Sequence, residues 1–269
     1  DVVALPRDEK DVAALLDWCG DNGYAAVPFG GGSSVTGGVN HTRDGRFKGL
    51  VTIDLRRLDR VLEIDKTSQA ARIQAGVLGP SMEKQLKASG LTMRFFLQAW
   101  EFSSLGGWIA TRAAGHYATN YTQIDDHVES LRVVTPSGAI ASHRWPTSGA
   151  GPNPDRLFLG SEGALGIITE AWVRLHKKPT FRSATTVRFA DYGKAVNATR
   201  VISQAGLFPA NARLLEREEA RFTEAGDGTK DVLVLTFESG DHPLDAWMAR
   251  ALEICGDFGG EWDREALED

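Results

Sequence analysis

Pro28-Phe29-Gly30-Gly31-Gly32-Ser33-Ser34-Val35-Thr36-Gly37-Gly38 follows the short apolar segment Tyr24-Ala25-Ala26-Val27, which reads as a strand. Three successive glycines permit positive φ and let a ligand reach the main chain with no Cβ in the way. The two serines place hydroxyl donors beside the freed amide N–H groups. Such a run reads as a nest for an anion, a phosphate or pyrophosphate. A flexible Gly/Ser surface loop is the plain alternative. Two common nucleotide loops are excluded. A Walker A loop ends in Gly-Lys-Ser/Thr, whereas no lysine follows this run until Lys48. A Rossmann fingerprint needs its third glycine where Val35 stands, and a helix directly afterwards. Val39-Asn40-His41-Thr42-Arg43-Asp44-Gly45 is instead polar, with no helical period.

Outward from the loop, the first two-thirds of the chain mixes helices with short strands. Val12, Leu15, Leu16 and Cys19 recur at helical spacing behind Arg7-Asp8-Glu9, and Gly20 and Gly23 end that helix. Leu50–Leu55 alternates as a strand. Val61–Asp65 and Ala70–Ala75 flank Lys66-Thr67-Ser68 as a hairpin. A second hairpin is signalled by Leu131–Val134, the turn Thr135-Pro136-Ser137-Gly138, and Ala139–Ala141. Gly166–Leu175 reads as a long strand that Lys177-Lys178-Pro179 stops.

Beyond Pro179 the pattern predicts strand Ala184–Phe189, helix Tyr192–Ala205, a strand near Arg213-Leu214-Leu215, helix Glu216–Ala225, strand Val232–Phe237 and helix Leu244–Phe258. That alternation suggests helices on one face of a sheet. Another strand is expected after Glu261-Trp262, so this second part reads as incomplete.

Composition sets broad bounds. The 269 residues suffice for two domains, with 42% apolar and 25% charged residues. The net charge of −6 argues against a general nucleic-acid binder. It also requires an anionic ligand to be held by local amides and single arginines. Cys19 and Cys255 sit on amphipathic helices and read as buried thiols. No apolar run reaches the roughly 18 residues of a membrane span. The chain opens at Asp1 with no methionine and no signal pattern, and reads as a piece of something larger in a cytoplasmic setting. The expected partner is a small-molecule or lipid-like substrate, with a homodimer left open and no metal site expected.

Three further segments carry chemistry. In Gln98-Ala99-Trp100-Glu101-Phe102-Ser103-Ser104-Leu105-Gly106-Gly107-Trp108-Ile109-Ala110-Thr111-Arg112-Ala113-Ala114-Gly115 the serines cap a helix starting near Leu105. Arg112, placed on that helix, is positioned to pair with a phosphate. Gly160-Ser161-Glu162-Gly163-Ala164-Leu165-Gly166-Ile167-Ile168-Thr169-Glu170 sets glycines around an acid and leads into a strand. His116 and Tyr117 follow Gly115 directly. His116 offers a base, although a cap or surface role is the plainer reading. His127, within Asp125-Asp126-His127-Val128-Glu129, reads as solvated or paired with a carboxylate, and the seven tryptophans read as core.

Taken in this order, the segments resemble flavoenzymes of the vanillyl-alcohol oxidase and p-cresol methylhydroxylase type. The glycine run and Ser161–Glu170 carry the superfamily likeness. Glu101–Gly107 and Thr111-Arg112-Ala113 are most similar to alkyldihydroxyacetonephosphate synthases and their bacterial relatives. Ser161–Glu170 is shared with flavin-dependent 2-hydroxy-acid dehydrogenases. The resemblance implies an α+β fold. A PCMH-type FAD-binding domain of two α+β subdomains over residues 1–178 is followed by an incomplete antiparallel-sheet cap domain over 183–269. It implies that Gly30, Gly31, Gly32, Ser33, Ser34, Val35 and Thr36 grip the FAD pyrophosphate. Gln98, Ala99, Trp100, Glu101, Phe102, Ser103 and Ser104, with Thr111, Arg112, Ala113 and Ala114, line the flavin half. Glu162, Gly163, Ala164, Leu165, Gly166, Ile167 and Ile168 close over ribose and adenine.

Departures from the family pattern matter too. Relatives that tether the flavin use a histidine or cysteine, whereas Ser33 and Ser34 occupy the loop here, so FAD is expected to be noncovalent. His41 is the nearest histidine. The consecutive histidines that serve substrate chemistry in the synthases occur nowhere in the chain, so no catalytic residue is named and the chain alone is expected to be inactive. The resemblance implies exchange of the acyl chain of an acyl-dihydroxyacetone phosphate for a fatty alcohol, with the flavin carrying the hard step. Oxidation of a 2-hydroxy acid such as D-lactate or glycolate is the alternative, and an FAD-holding module without turnover the third reading.

Overall fold

The computed structural model describes residues 2–40, 45–145 and 148–263. Strand β1 (Val2–Ala4) leads to helix α1 (Glu9–Asn22), capped by the Asp8 carboxylate, which accepts the Asp11 N–H at 2.9 Å. Gly23 ends α1 in the left-handed region at φ 73°, its N–H turned back to the last helical carbonyls. Strands β2 (Ala25–Phe29) and β3 (Leu50–Asp54) then complete a three-stranded parallel sheet of order β1-β3-β2. All five residues of the central β3 are buried, as a parallel strand covered on both faces requires. Val12 and Cys19 of α1 pack on Val51 and Ile53.

A five-stranded antiparallel sheet follows, of order β4-β5-β9-β7-β8. It is built from β4 (Val61–Asp65), β5 (Ala70–Gln74), β7 (Val128–Thr135), β8 (Gly138–Ala141) and β9 (Ile167–Arg174). Between these strands lie α2 (Gly79–Leu86), β6 (Leu91–Thr92), α3 (Leu105–Thr111), α4 (Ala118–Tyr121), α5 (Ile124–His127) and α6 (Asp155–Phe158), and β10 (His176–Lys177) pairs with β6. Met82 and Leu86 of α2, with Leu105, Trp108 and Ile109 of α3, bury against Ile73, Leu131, Val133, Ala171 and Val173 of the sheet.

The chain divides into two compact units, Asp1–Gly115 with Thr122–Lys177, and His116–Tyr121 with Lys178–Asp269. The second unit carries an antiparallel sheet of order β11-β13-β12, from β11 (Phe181–Phe189), β12 (Asn211–Leu215) and β13 (Asp231–Ser239). Helices α7 (Tyr192–Gln204) and α9 (Asp245–Asp257) bury Ala195, Ala198, Ile202, Met248, Leu252 and Cys255 against Val187, Phe189, Leu233, Leu235 and Phe237. The short α8 (Arg217–Phe222) starts beside fully buried Asp231, which accepts the Arg217 N–H at 3.0 Å and its Nη2–H at 3.2 Å. Glu261 makes a single antiparallel bridge to Arg188, and the strand expected after Trp262 falls on residues that lie, past Asp263, outside the described ones.

Both cysteines are free and buried, and burial pushes the Cys255 thiol up to about 12. The tryptophans do not behave alike. Trp108 is core, but Trp18, Trp145 and Trp247 are exposed, the first against Tyr24 with the two rings tilted and their centroids 5.0 Å apart. His127 also departs from its sequence reading. It is buried against Phe95 and His176, with Nδ1 3.4 Å from the Arg174 carbonyl, because α5 turns it inward while Asp126 faces out.

Candidate functional site

The glycine run leaves the C-terminal end of β2 and meets the segment before α3 almost backbone to backbone. A Cβ built on Gly31 would lie 1.7 Å from the Phe102 carbonyl oxygen, and one on Gly30 would lie 2.1 Å from Ser104 Oγ. Only glycine admits that approach. Ser103 organises the same wall. Its hydroxyl donates to the Ala99 carbonyl at 2.7 Å and accepts the buried Trp108 indole N–H at 2.7 Å. Ser104 caps α3, its Oγ accepting the Gly107 N–H at 3.3 Å. Upstream, Glu83 fixes the start of this segment by accepting the Met93 N–H at 3.0 Å, and burial raises its carboxyl above the usual range.

A third segment closes the space from the other side. The Gly160 and Glu162 N–H groups donate to the carbonyls of Ile109 and Ala110 at 3.1 and 2.9 Å, which ties the 160–168 turn to α3. Gly163, at φ 83°, seats against Pro28 so closely that a Cβ would fall 2.4 Å from its ring. Across the space, Thr36 Oγ1 donates to Glu162 Oε2 at 3.0 Å.

Together these segments enclose a cleft of about 400 Å³. Gly30, Gly31, Gly32, Ser33, Ser34, Val35 and Thr36 all line it, as do Ser103, Ser104, Thr111, Ala113, Glu162, Gly163, Gly166, Ile167 and Ile168. Gln98, Ala99, Trp100, Glu101 and Phe102 do not line it but form the segment behind the wall, with Phe102 exposed. Ala114, Ala164 and Leu165 are exposed outside it. Pro28, Phe29, Leu55, Ala110 and Trp108 line the cleft without having been singled out as cofactor contacts. Leu55, which follows β3, has no local signal, because the parallel pairing of β2 with β3 brings it there.

Arg112 requires a correction. It does not lie within α3 but ends it, in the left-handed region at φ 52°. Its stem lies against Gly160, and its guanidinium pairs with buried Asp125, which also accepts from Arg156 Nη1 at 3.0 Å. The arginine is committed to a carboxylate and does not line the cleft. His116 falls in the second unit and is exposed. His41, considered as a tether, lies outside the described residues. Among the described residues no group of three His, Cys, Asp or Glu could hold a metal ion.

The site fits a dinucleotide flavin. A glycine loop that lines the cleft together with the hydroxyl-bearing Ser33, Ser34 and Thr36 suits a pyrophosphate. Leu55, Trp108, Ala110, Ala113, Ile167 and Ile168 supply apolar surface for flat rings.

The fold and this site define an FAD-binding protein: residues 1–143 match the family described as FAD binding domain, and the chain belongs to that family. Within it, the chain is 36% identical over 230 residues to the alkyldihydroxyacetonephosphate synthase of Dictyostelium discoideum, covering 86% of this chain and 37% of that protein. It is 34% identical over 239 residues to the synthase of Trypanosoma brucei brucei, covering 89% and 39%. A Danio rerio protein named "Probable D-lactate dehydrogenase, mitochondrial" is 31% identical over 269 residues, covering 97% and 53%. A crystal structure of an alkyldihydroxyacetonephosphate synthase superposes with a TM-score of 0.87 at 30% identity, over 97% of this chain and 51% of that one. The chain thus spans about two fifths of the length of the curated synthases it matches.

Proposed function

We propose that this cleft binds FAD noncovalently, and that the chain is the cofactor-binding part of an alkyldihydroxyacetonephosphate-synthase-like flavoenzyme acting on a lipid-like substrate. The observation that carries the reading is the seating of Gly30 and Gly31 on Phe102–Ser104, which sets the glycine loop with Ser33, Ser34 and Thr36 along one side of the cleft. In this reading Gly30–Thr36 hold the pyrophosphate. Ser103, Ser104, Thr111 and Ala113 face the flavin half, backed by Gln98–Phe102, and Glu162, Gly163, Gly166, Ile167 and Ile168 face the adenine half. The residues from 183 onward are the first part of a substrate-covering domain. FAD, when bound, supplies the flavin chemistry, and the chain's residues bind, orient and exclude water.

The noncovalent assignment draws on the chemistry of the wall. No histidine or cysteine occurs among the described residues lining the cleft. Acid precipitation of the flavin-loaded chain is expected to leave the yellow chromophore in the supernatant. Chromophore retained in the pellet would defeat the assignment.

The likeness to a D-lactate dehydrogenase over the whole chain favours a second reading, oxidation of a 2-hydroxy acid. Anaerobic addition of D-lactate or glycolate to the full-length protein separates the two. Bleaching of the flavin band supports the dehydrogenase, and an unbleached flavin with incorporation of fatty alcohol into acyl-dihydroxyacetone phosphate supports the synthase.

A further inference from the structure

The 160–168 wall of the cleft meets α3 through two backbone hydrogen bonds, and one carboxylate outside the cleft reaches both sides of that seam. Asp125, on α5, is buried and does not line the cleft. Two guanidinium groups converge on its Oδ2. One belongs to Arg112, the residue that ends α3; the other is that of Arg156 on α6, whose Nη1 donates at 3.0 Å. The Arg112 arm bears on the turn directly. Its φ of 52° is a left-handed value that a non-glycine residue keeps only when its surroundings impose it. Its stem lies over Gly160, where a Cβ would fall 2.6 Å from Arg112 Cδ and 2.8 Å from Cγ. The Arg156 arm holds the approach to the same turn. α6 ends at Phe158, and the Ser161 N–H returns to the Phe158 carbonyl at 3.2 Å. Helix α5 is itself tied to the cleft, because the Ile124 N–H donates at 3.4 Å to the carbonyl of Ala113, a lining residue.

A stabilising role alone does not account for this cluster. The side chains of Arg112 and Arg156 are 58% and 51% exposed, so water can serve both. Asp125 instead gives up its hydration and leaves Oδ1 buried with no hydrogen-bond partner among the described residues. A buried carboxylate of that kind recovers little net stability from its partners. Resting on the reading that this cleft takes FAD, we propose that Asp125 is a positioning residue for the cofactor, a clamp that joins Arg112 to Arg156 and sets the 160–168 wall against α3. With the Arg112 stem held down on Gly160, the Gly160 and Glu162 N–H groups meet the Ile109 and Ala110 carbonyls. The wall is then ordered before the ligand arrives. Pre-organisation of this sort raises affinity, because binding no longer has to order the loop.

Backbone hydrogen exchange of the ligand-free chain and a fluorescence titration with FAD test this on the wild type, Asp125→Asn, Arg156→Gln and Asp65→Asn. Asp125→Asn keeps the size of the side chain and removes the charge that both arginines share. The Gly160 and Glu162 amides are expected to exchange about tenfold faster, those of β5 and β7 to stay within about twofold, and FAD to bind about tenfold more weakly. Arg156→Gln alters an exposed side chain and cuts one arm. The same pattern at about threefold is expected there, and it carries the test if Asp125→Asn does not fold. Asp65→Asn removes a carboxylate of the β4–β5 hairpin that accepts from Arg144 Nη1 at 2.8 Å, and it should leave both amides and the FAD affinity as they are. Unchanged Gly160 and Glu162 exchange, faster exchange spread over the whole sheet, or the same change in Asp65→Asn would overturn the assignment. So would loosened amides with an unchanged FAD affinity, since the clamp would then not serve the ligand. A wild type that binds no FAD would refute the reading of the cleft and with it the cofactor role, while the exchange pattern would still show whether Asp125 holds the turn.

Discussion

Gly31 has room for a hydrogen and nothing more, since the Phe102 carbonyl stands where a methyl group would go. Gly31→Ala adds no charge, yet it must push the loop off the wall that precedes α3. Overpacking of this kind costs about 1–3 kcal/mol in well-packed sites. FAD affinity is therefore expected to fall by about tenfold or more, with a lower melting temperature. Gly149→Ala serves as the control, because a Cβ there meets nothing within 4 Å. Equal FAD titrations for the two variants would show that the loop does not shape the site. The same residue scale shows where sequence reading stops. The glycine run announces a ligand loop through composition alone, but the partners of Gly30 and Gly31 lie some 70 residues away and leave no local trace. Arg112 is the sharper case. An arginine beside a phosphate-type motif invites pairing with the ligand, whereas Asp125, thirteen residues on, claims it.

At the scale of elements, the local signals and the structure agree where one residue decides the outcome. Asp8 starts α1 and Gly23 stops it; Ser104 starts α3. The hairpin of β4 with β5 and that of β7 with β8 follow from alternation interrupted by turn residues. Gly20, read from sequence as part of the helix stop, instead lies inside α1 on its exposed side, and a Cβ there would meet nothing within 4 Å. Gly20→Ala should thus stabilise the protein by about 0.5–1 kcal/mol, through helix propensity and a less flexible unfolded chain. Thermal or urea unfolding reads this directly, and a destabilised variant would mean that the last turn of α1 needs glycine. What the sequence hides at this scale is non-local. The parallel pairing of β1, β2 and β3 and the insertion of β9 between β5 and β7 join segments far apart in the chain. So does the inward face of α5, whose Asp-Asp-His run looks like a solvated turn. Ile124, Asp125 and His127 are buried there because the helix packs on β7 and β9.

At the scale of the whole molecule, the response to acid brings a half-buried imidazole of the first unit into play. His176 lies in β10, in register with Thr92 of β6, and its ring meets that of His127 edge-on at 5.7 Å. Burial, with the neighbouring His127 and Arg174 adding to it, pulls its pKa down to about 4 from the usual 6.5. The native state therefore holds this ring neutral over a range in which the unfolded chain is already protonated. Its contribution to stability is constant above pH 6.5, declines as the pH falls from 6.5 towards 4, and levels off below 4 once both states carry the proton. The depression corresponds to a loss of at most about 3 kcal/mol across that window. Hydrogen exchange of the β6–β10 amides, followed from pH 7 to pH 4 after correction for intrinsic rates, should show protection falling over this range in the wild type. In His176→Gln, which cannot take up the proton, the decline should be much reduced. An equal decline in both proteins would assign the acid sensitivity to other groups. A flat profile in the wild type would mean that the ring is more hydrated than its packing against His127 indicates.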